Sequence, residues 1–314
     1  MAGRTGGEGV AAPASEGCDT PRSAPTILVA EHAGVCYGVE RALGMAEDAA
    51  EHAEQPVRTL GPLIHNPLVV EELAGRGVRE AASPGELEGG TVIIRAHGVA
   101  PEVEAEVRAR GLNVVDATCP YVKKVHAAAE RLVREGYRVV VVGEAGHPEV
   151  EGIMGHGGPD AVVVQEPADL EGLEVSGRVG VVVQTTQTEA ALQAIVDALL
   201  PRASEVRVMN TICTATQERQ EAAAGLAGRA DVMVVVGGRN SANTRRLASI
   251  CSERCPRTHH VEDASEVEPA WFQGASLIGV TAGASTPAAH IERAVRAIRS
   301  ATGAAEPSMP GTGA

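Results

Sequence analysis

Short apolar runs alternate with longer amphipathic stretches along most of this chain. Runs such as residues 26–30 and 139–142 have the length and composition of strands that are buried in a sheet. Between the runs, apolar residues recur every three or four positions, as Val39, Leu43 and Ala46 do, which is the spacing of an amphipathic helix. This alternation predicts βαβ units and parallel sheets, and therefore an α/β fold.

Three cysteines keep the same place in this alternation. Cys36, Cys119 and Cys213 each follow an apolar run and precede a helical pattern. The strands predicted before them cover residues 26–30, 112–115 and 206–209. Cysteines that serve only packing have no reason to keep step with secondary structure. The pattern predicts a threefold repeat with one thiolate in each copy, and the thiolates are expected to converge on a metal cluster.

Each repeat continues in the same order after its cysteine. A second strand ends in a glycine and is followed, at a constant distance, by a polar side chain: Gly61 and His65, Gly143 and His147, Gly237 and Ser241. A third strand, at residues 91–94, 180–183 and 277–280, leads to His97, Thr185 and Ser285. Functional groups collect beyond the carboxyl ends of parallel strands, near helix N-termini. These side chains and the cysteines are therefore expected to form one site in a pseudo-threefold arrangement.

The repeats divide the chain into three similar α/β lobes. The first covers residues 25–118, the second residues 119–209 and the third residues 210–301. Residues 1–24 and 302–314 are rich in Gly, Ala, Ser and Pro, and we expect both segments to be disordered tails.

The composition argues against several classes of protein. The formal net charge of −14 argues against nucleic-acid binding, because that affinity comes largely from Lys and Arg. No apolar run approaches the roughly 20 residues that span a bilayer, so we expect no membrane partner. Residues 1–24 lack the pattern of a secretory signal, which predicts a cytoplasmic protein. In a reducing cytoplasm the six cysteines are expected to be metal ligands or free thiols rather than disulfides.

The spacing of the cysteines favours an iron–sulfur cluster over zinc. A closed zinc site needs four N or S ligands, often in Cys-x-x-Cys pairs, and the three cysteines have no such neighbours in the sequence. Three thiolates on a 4Fe–4S cluster leave one iron open for a substrate, which indicates catalysis. A non-enzymatic iron–sulfur sensor and a structural zinc protein remain as alternatives.

The other cysteines have no counterparts in the repeat. Cys18 lies in the N-terminal tail, and Cys251 and Cys255 share one face if their segment is helical. We interpret all three as bystanders, with Cys251 and Cys255 able to form a labile disulfide under oxidation.

The polar side chains of the repeat suit a phosphorylated ligand. The set consists of His65, His97, His147, Ser241, Asn243 and Ser285. Imidazolium rings bind phosphate oxygens, and hydroxyl and amide groups add hydrogen bonds. Taken singly, each residue is equally typical of a turn or a helix cap. Their common spacing favours the ligand role.

Glu149 is the only acid at an equivalent position of the repeat. It follows His147 in Gly-His-Pro-Glu-Val and corresponds to Asn243 in the next repeat. A carboxyl group among histidines near a metal site can hold a proton for a leaving group. The alternative is a solvated glutamate at the start of a helix, where the dipole favours it.

The sequence motifs resemble a known family, 4-hydroxy-3-methylbut-2-enyl diphosphate reductase, over about residues 26–301. The resemblance rests on Gly-Val-Cys-Tyr-Gly-Val at 34–39, Ile-His-Asn at 64–66, Ala-His-Gly-Val at 96–99, Asp-Ala-Thr-Cys-Pro at 116–120, Gly-His-Pro-Glu-Val-Glu-Gly at 146–152, Gln-Thr-Thr at 184–186, Ile-Cys-Thr-Ala-Thr at 212–216, Asn-Ser-Ala-Asn at 240–243 and Thr-Ala-Gly-Ala-Ser at 281–285. Two local departures from the family pattern are Val35, where an aromatic residue is common, and Ala242, where a serine is frequent.

The resemblance implies three lobes around one 4Fe–4S cluster, which is held by Cys36, Cys119 and Cys213 and whose open iron takes the 4-hydroxyl group of the substrate. It assigns the diphosphate to His65, His97, His147, Ser241, Asn243 and Ser285. It also implies that Thr185 and Glu149 form the proton path to the departing hydroxyl group, with Glu149 as the acid. Two electrons and two protons then release water and yield isopentenyl and dimethylallyl diphosphates. The acidic surface and the embedded cluster suggest a small electron-donor protein of the ferredoxin or flavodoxin type.

Overall fold

A computed structural model describes residues 24–304 of the chain. Residues 1–23 and 305–314, which include Cys18 and nearly all of the two predicted tails, lie outside the described residues. Strands and helices alternate throughout the described part. None of its helices is both long enough and apolar enough to cross a membrane.

The strands are short and the helices longer, as the apolar pattern predicts. The strands are β1 (Thr26–Val29), β2 (Val57–Leu60), β3 (Val78–Ala81), β4 (Thr91–Ile94), β5 (Asn113–Asp116), β6 (Arg138–Val142), β7 (Val162–Val164), β8 (Arg178–Val183), β9 (Glu205–Val208), β10 (Val232–Val236), β11 (Thr258–Val261) and β12 (Leu277–Ala282). The α-helices are α1 (Tyr37–His52), α2 (Pro67–Gly75), α3 (Pro101–Ala109), α4 (Pro120–Arg134), α5 (Pro148–His156), α6 (Glu189–Leu199), α7 (Thr214–Ala227), α8 (Ala242–Arg254) and α9 (Ala288–Thr302).

These strands form three parallel sheets with four strands each within residues 24–304. The strand orders are β3-β2-β4-β5, β7-β6-β8-β9 and β11-β10-β12-β1. Every strand pair is parallel, and helices connect the strands as in successive βαβ units. The prediction of an α/β fold with three similar lobes built on parallel sheets is therefore confirmed.

The N-terminal strand belongs to the third sheet. β1 pairs with β12 from Thr26 beside Leu277 to Val29 beside Val280. The predicted first lobe began at residue 25, so this start is corrected, because β1 does not pair with the strands of the first sheet. β5 and β9 hold the same edge place in the first and second sheets. Each key cysteine therefore follows the edge strand of one lobe and begins a helix of the next.

The interior strands are buried on both faces, which explains their continuous apolar sequences. All residues of β10 are buried, and so are Val139 to Val142 in β6. Gly180 in β8 and Gly279 in β12 give helices room to approach, because a Cβ at either would lie less than 3.0 Å from a leucine side chain, Leu132 of α4 or Leu226 of α7. Two of the helices that begin after the cysteines, α4 and α7, are thus packed closely on their sheets.

Three edge strands were not predicted. β3, β7 and β11 follow α2, α5 and α8 and pair with the second strand of each sheet. They are only three or four residues long, and β3 (VREA) and β11 (THHV) lack an apolar run. A short edge strand with exposed or half-buried side chains carries too little pattern to stand out from a loop.

The placement of β1 can be tested with a pair of cavity-forming variants. Ile27→Ala in β1 and Ile93→Ala in β4 should each lower the free energy of unfolding by roughly 2–5 kcal/mol, because both side chains are buried. Hydrogen exchange should show that Ile27→Ala weakens protection in β12 and β10, whereas Ile93→Ala weakens it in β2 and β5. Faster exchange in β2 and β4 on mutating Ile27 would contradict this assignment.

Candidate functional site

The three predicted cysteine ligands occupy equivalent places in the fold. Cys36, Cys119 and Cys213 are the residues directly before α1, α4 and α7. Each backbone N–H donates to a carbonyl in the loop after the third strand of the preceding sheet: Cys36 to Ala284 at 3.1 Å, Cys119 to Ala96 at 2.9 Å and Cys213 to Thr185 at 3.1 Å. The repeat predicted from the sequence is therefore also a repeat of hydrogen bonds.

The three cysteine side chains line one common cavity. Gly38, in the first turn of α1, lies against two of them. A Cβ built on Gly38 would lie less than 3.0 Å from Cys119 Sγ and 4.0 Å from Cys36 Sγ, so both sulfurs are close to the same point. The glycine makes room for Cys119, whose thiol would be displaced by any side chain at this position.

The surroundings that the chain provides keep the thiols of Cys119 and Cys213 protonated. Burial raises the pKa of Cys119 and of Cys213, although backbone N–H groups of the following helix oppose the shift at Cys119. A metal that binds such a sulfur displaces its proton, because a coordinating cysteine is bound as the thiolate. Within residues 24–304, no group of three or more His, Cys, Asp or Glu side chains is arranged around a single metal ion. A four-iron cluster binds its thiolates through different iron atoms, so the ligands need not meet at one point.

The three predicted histidines form a second group in the same cavity. The ring centroids of His65 and His97 are 4.2 Å apart, those of His65 and His147 4.9 Å, and those of His97 and His147 5.7 Å. Both ring nitrogens of His65 and Nδ1 of His97 are buried without a hydrogen-bond partner among the described residues. Buried polar atoms without a partner are costly, so these nitrogens indicate a place prepared for a polar ligand.

His147 has its orientation set by the start of α5. Its Nδ1 accepts the backbone N–H of Glu149 at 3.1 Å, which caps the helix. In the neutral ring, Nε2 must then carry the proton and acts as a donor. His147 lines the cavity beside His65 and His97.

The three imidazoles are neutral at pH 7 in the surroundings that the chain provides. Burial is the main cause, and it lowers the pKa of His65 and His147 to about 4 and that of His97 well below its usual value. Arg95 lowers the pKa of all three rings, and Arg245 that of His65 and His147. This local positive field attracts an anion despite the net charge of −14. An anion placed among the rings would raise their pKa values and bring protons with it.

The third lobe contributes hydroxyl and amide groups. Ser241 caps the start of α8, and its Oγ accepts the backbone N–H of Thr244 at 3.3 Å. Asn243 has both side-chain polar atoms buried without a partner among residues 24–304. The hydroxyl of Ser285 donates to the carbonyl of His65 at 3.0 Å, which joins the third lobe to the first. Ala242 is buried and lines the cavity between Ser241 and Asn243.

Glu149 and Thr185 form a buried pair beside the cysteines. Glu149 is 2% exposed, so it is not the solvated glutamate of the alternative interpretation. Its Oε1 accepts the backbone N–H of Thr185 at 2.6 Å, and its Oε2 accepts the Thr185 hydroxyl at 3.0 Å. Burial raises the pKa of Glu149 to about 7, against the opposing effect of the two hydrogen bonds. The carboxyl group can therefore keep or release a proton near neutral pH.

The hydrogen bonds of the cysteines refine the predicted repeat in the second lobe. His97 and Ser285 directly follow the carbonyls that accept from Cys119 and Cys36, whereas Thr185 itself provides the carbonyl for Cys213. The residue equivalent to His97 and Ser285 is therefore Thr186. Its hydroxyl is buried, lines the cavity and has no partner among the described residues. Two adjacent threonines satisfy the sequence pattern equally well, so only the structure distinguishes them.

All of the predicted site residues line this cavity: Cys36, His65, His97, Cys119, His147, Glu149, Thr185, Cys213, Ser241, Asn243 and Ser285. Their chemical roles stay predictions. The sequence patterns missed Thr216, whose hydroxyl lies 3.3 Å from Cys213 Sγ, and Arg219 on the next turn of α7. Cys251 and Cys255 are free, buried and do not line this cavity, and burial raises the pKa of Cys251 to about 12.

The chain is similar in sequence to known proteins. Residues 27–299 match the family model described as LytB protein. A 4-hydroxy-3-methylbut-2-enyl diphosphate reductase from Pelobacter propionicus is 50% identical over 261 residues, which cover 83% of this chain and 93% of that protein. The enzyme of the same name from Aquifex aeolicus is 48% identical over 264 residues, covering 83% of this chain and 91% of that protein.

Solved structures show the same fold. One is the structure of (E)-4-hydroxy-3-methyl-but-2-enyl diphosphate reductase, the terminal enzyme of the non-mevalonate pathway. It is 46% identical, has a TM-score of 0.66, and the match covers 88% of this chain and 99% of that one. The E-1-hydroxy-2-methyl-but-2-enyl-4-diphosphate reductase from Plasmodium falciparum is 24% identical with a TM-score of 0.82, and the match covers 88% of each chain. At this identity the second likeness concerns the fold alone.

The space beside Gly38 can be tested with two alanine variants of α1. Gly38→Ala should displace the Cys119 thiol and lose most of the iron and sulfide taken up on anaerobic reconstitution. It should also destabilise the protein by roughly 1–3 kcal/mol through overpacking. Gly44→Ala is the control, because a Cβ there meets nothing within 4 Å, and it should keep full uptake and stabilise by roughly 0.5–1 kcal/mol. Equal iron and sulfide contents in the two variants would contradict the prediction.

Proposed function

The chain belongs to the LytB protein family, and from this premise we propose that it is a 4-hydroxy-3-methylbut-2-enyl diphosphate reductase. In this reaction the C–O bond of the allylic alcohol breaks and the substrate takes up two electrons and two protons. The products are water and either isopentenyl or dimethylallyl diphosphate. The observation that carries the proposal is that three thiols, three histidines and one buried acid line the same cavity.

Cys36, Cys119 and Cys213 are the residues that would hold a 4Fe–4S cluster. The convergence of their side chains, the absence of a side chain at Gly38 and the closeness of two sulfurs to one point support this assignment. Such a cluster supplies electrons and, with three protein ligands, one iron open to the substrate hydroxyl.

The histidine group and the third-lobe polar groups would bind the diphosphate. Asn243 and His65 supply buried polar atoms that have no other partner among the described residues, and His147 supplies a donor at Nε2. His97, Ser241 and Ser285 complete the set around the cavity. Each hydrogen bond to a charged phosphate oxygen is worth about 1.5–3 kcal/mol. Holding the diphosphate here orients the rest of the substrate toward the cysteines.

Glu149 and Thr185 would deliver the proton to the departing hydroxyl group. A carboxyl group with a pKa of about 7 is still substantially protonated at neutral pH, and the Thr185 hydroxyl bonded to its Oε2 offers a relay. A regulatory iron–sulfur sensor, the alternative from the same cysteines, has no need of a buried acid or of unpartnered histidines. These residues therefore favour the enzyme over the sensor.

A small electron-donor protein of the ferredoxin or flavodoxin type is part of the proposal, as is a cytoplasmic location. The start of α1 is accessible beside Cys36, because Tyr37 is 64% exposed. The exposed Tyr37 thus offers a donor protein a surface directly next to Cys36 in the chain.

An anaerobic assay tests the proposed function directly. The reconstituted protein is supplied with a reduced viologen and the allylic diphosphate, and isopentenyl and dimethylallyl diphosphates are measured. Heat-denatured protein and protein without iron are the controls. Failure of an iron-loaded, folded protein to form either product would refute the proposal.

Replacing Glu149 by Gln should leave the cluster and diphosphate binding in place but slow turnover by about 100-fold or more, since the proton donor is lost. In the unmodified protein, turnover should fall as the pH rises through about 7, because the protonated carboxyl group is the active form. Glu151→Gln is the matched control, because Glu151 is exposed in the first turn of the same helix. Turnover of Glu149→Gln at the unmodified rate would remove Glu149 from the mechanism.

Binding of the diphosphate should take up protons at neutral pH. In the chain alone the pKa values of His65 and His147 are about 4, and a bound anion raises them. Protonation of the imidazoles then strengthens binding of the anion. This gain in affinity is lost as the pH rises through the raised pKa values. Calorimetry in buffers of different ionisation enthalpy measures the uptake. His147→Asn keeps a cap for α5 but should take up fewer protons and bind about 1–3 kcal/mol more weakly. Equal uptake by both proteins would show that His147 is not protonated by the ligand.

A further inference from the structure

Arg219 is a buried arginine to which the proposed function assigns no role. It lies on α7 in the third lobe, is 5% exposed and lines the cavity together with Cys36 and Cys213. Its Nε and Nη2 both donate to the carbonyl oxygen of Gly34, at 3.2 and 2.8 Å, and its Nη1 donates to the carbonyl oxygen of Ala215 at 2.6 Å.

These hydrogen bonds connect two of the cysteine-bearing segments. Gly34 stands two residues before Cys36, and Ala215 stands two residues after Cys213. Gly34 is itself confined, with φ at +104° and little space for a side chain beside Ile291 and the carbonyl of Thr286. A rigid guanidinium between the two segments fixes the distance between the cysteines in a way that a flexible side chain would not.

The charge of Arg219 has no carboxylate partner within ion-pair distance among residues 24–304. The ionisable groups that act on it most strongly are Cys36 and Cys213, and Glu218 acts more weakly. Glu218 is also half-exposed and lies 3.9 Å from His32. A buried cation is costly unless an anion is near it, and here the nearest anions would be the two thiolates.

We propose that Arg219 is a positioning residue and the counter-cation of the iron–sulfur centre. It holds the segments of Cys36 and Cys213 at the spacing that the centre needs, and its positive charge favours uptake of one electron by that centre. No bond forms or breaks in this step, and the electron comes from the external donor. The inference rests on the proposed function, since it takes the three cysteines as cluster ligands. Net charge and hydrogen bonds around a cluster are known determinants of its reduction potential.

Three variants separate the two roles. Arg219→Gln removes the charge but keeps two N–H donors, Arg219→Lys keeps the charge but loses the planar fork, and Arg229→Gln is the control. Arg229 is exposed just beyond the end of α7, so its loss changes the net charge equally without affecting the cavity. Each protein is reconstituted anaerobically without substrate. Iron and sulfide are quantified, and the midpoint potential is measured by a dithionite titration followed by electron paramagnetic resonance.

Arg219→Gln should show a lower equilibrium constant for reduction by about tenfold or more, which is a midpoint potential about 59 mV more negative for one electron. Arg219→Lys should keep the potential but lose iron several times faster under a chelator, and Arg229→Gln should match the unmodified protein in both respects. Equal potentials in Arg219→Gln and the unmodified protein would overturn the counter-charge role. Unchanged iron loss in Arg219→Lys would overturn the positioning role.

Thermal unfolding of the iron-free proteins shows whether each variant is folded. If Arg219→Gln does not fold, the chelator experiment on Arg219→Lys still decides the positioning role, and the potential of Arg219→Met is measured for the charge. Different results would refute the proposed function and the role of Arg219. If the unmodified protein takes up no iron and sulfide, the proposed function is refuted. If the unmodified protein forms a cluster and Arg219→Gln forms one with the same midpoint potential and stability, only the role of Arg219 is refuted.

Discussion

The structure depends on one repeated hydrogen bond, from the backbone N–H of each key cysteine to a loop at the end of a neighbouring strand. The three distances are 3.1, 2.9 and 3.1 Å. In each case the accepting loop also carries a residue that lines the shared cavity, His97, Thr185 or Ser285. The same contact therefore places a thiol and a polar side chain side by side. Changing the angle between two lobes would move the cysteine and its neighbouring ligand together.

The edge strands explain how three lobes produce one centre. Each cysteine follows an edge strand of one sheet and directly precedes a helix that packs on the next sheet. Because β1 is the edge strand of the third sheet, Cys36 connects the third lobe to the first in the same way. The carboxyl ends of the parallel strands consequently face a common middle. Contacts such as Ser285 Oγ to the His65 carbonyl then join residues from lobes that are far apart in sequence.

Much of this arrangement could be predicted from the sequence, because the repeat shows itself in local patterns. The register of Cys36, Cys119 and Cys213 with strands and helices follows from apolar periodicity alone. The pairing of β1 with β12 could not be predicted in that way, since sheet pairing over such a distance has no local signal. Thr186 escaped prediction because its neighbour Thr185 has the same side chain. Arg219 escaped because an arginine in a polar helix is usually solvated, and only burial shows that this one is not.

Burial acts in opposite directions on the ionisable groups of the cavity. It keeps the proton on Glu149 and on the thiols of Cys119 and Cys213, and it removes the proton from the three histidines. Most of these groups are therefore neutral in the chain alone. Arg219, Arg95 and Arg246 stay cationic, because even a lowered arginine pKa leaves the side chain charged at pH 7. Unpartnered polar atoms, and the charge of Arg219 without a carboxylate partner among residues 24–304, lower the stability of the protein alone. The same features favour the binding of a negatively charged group, so the groups that cost stability in the chain alone are those that suit the cavity to an anionic ligand.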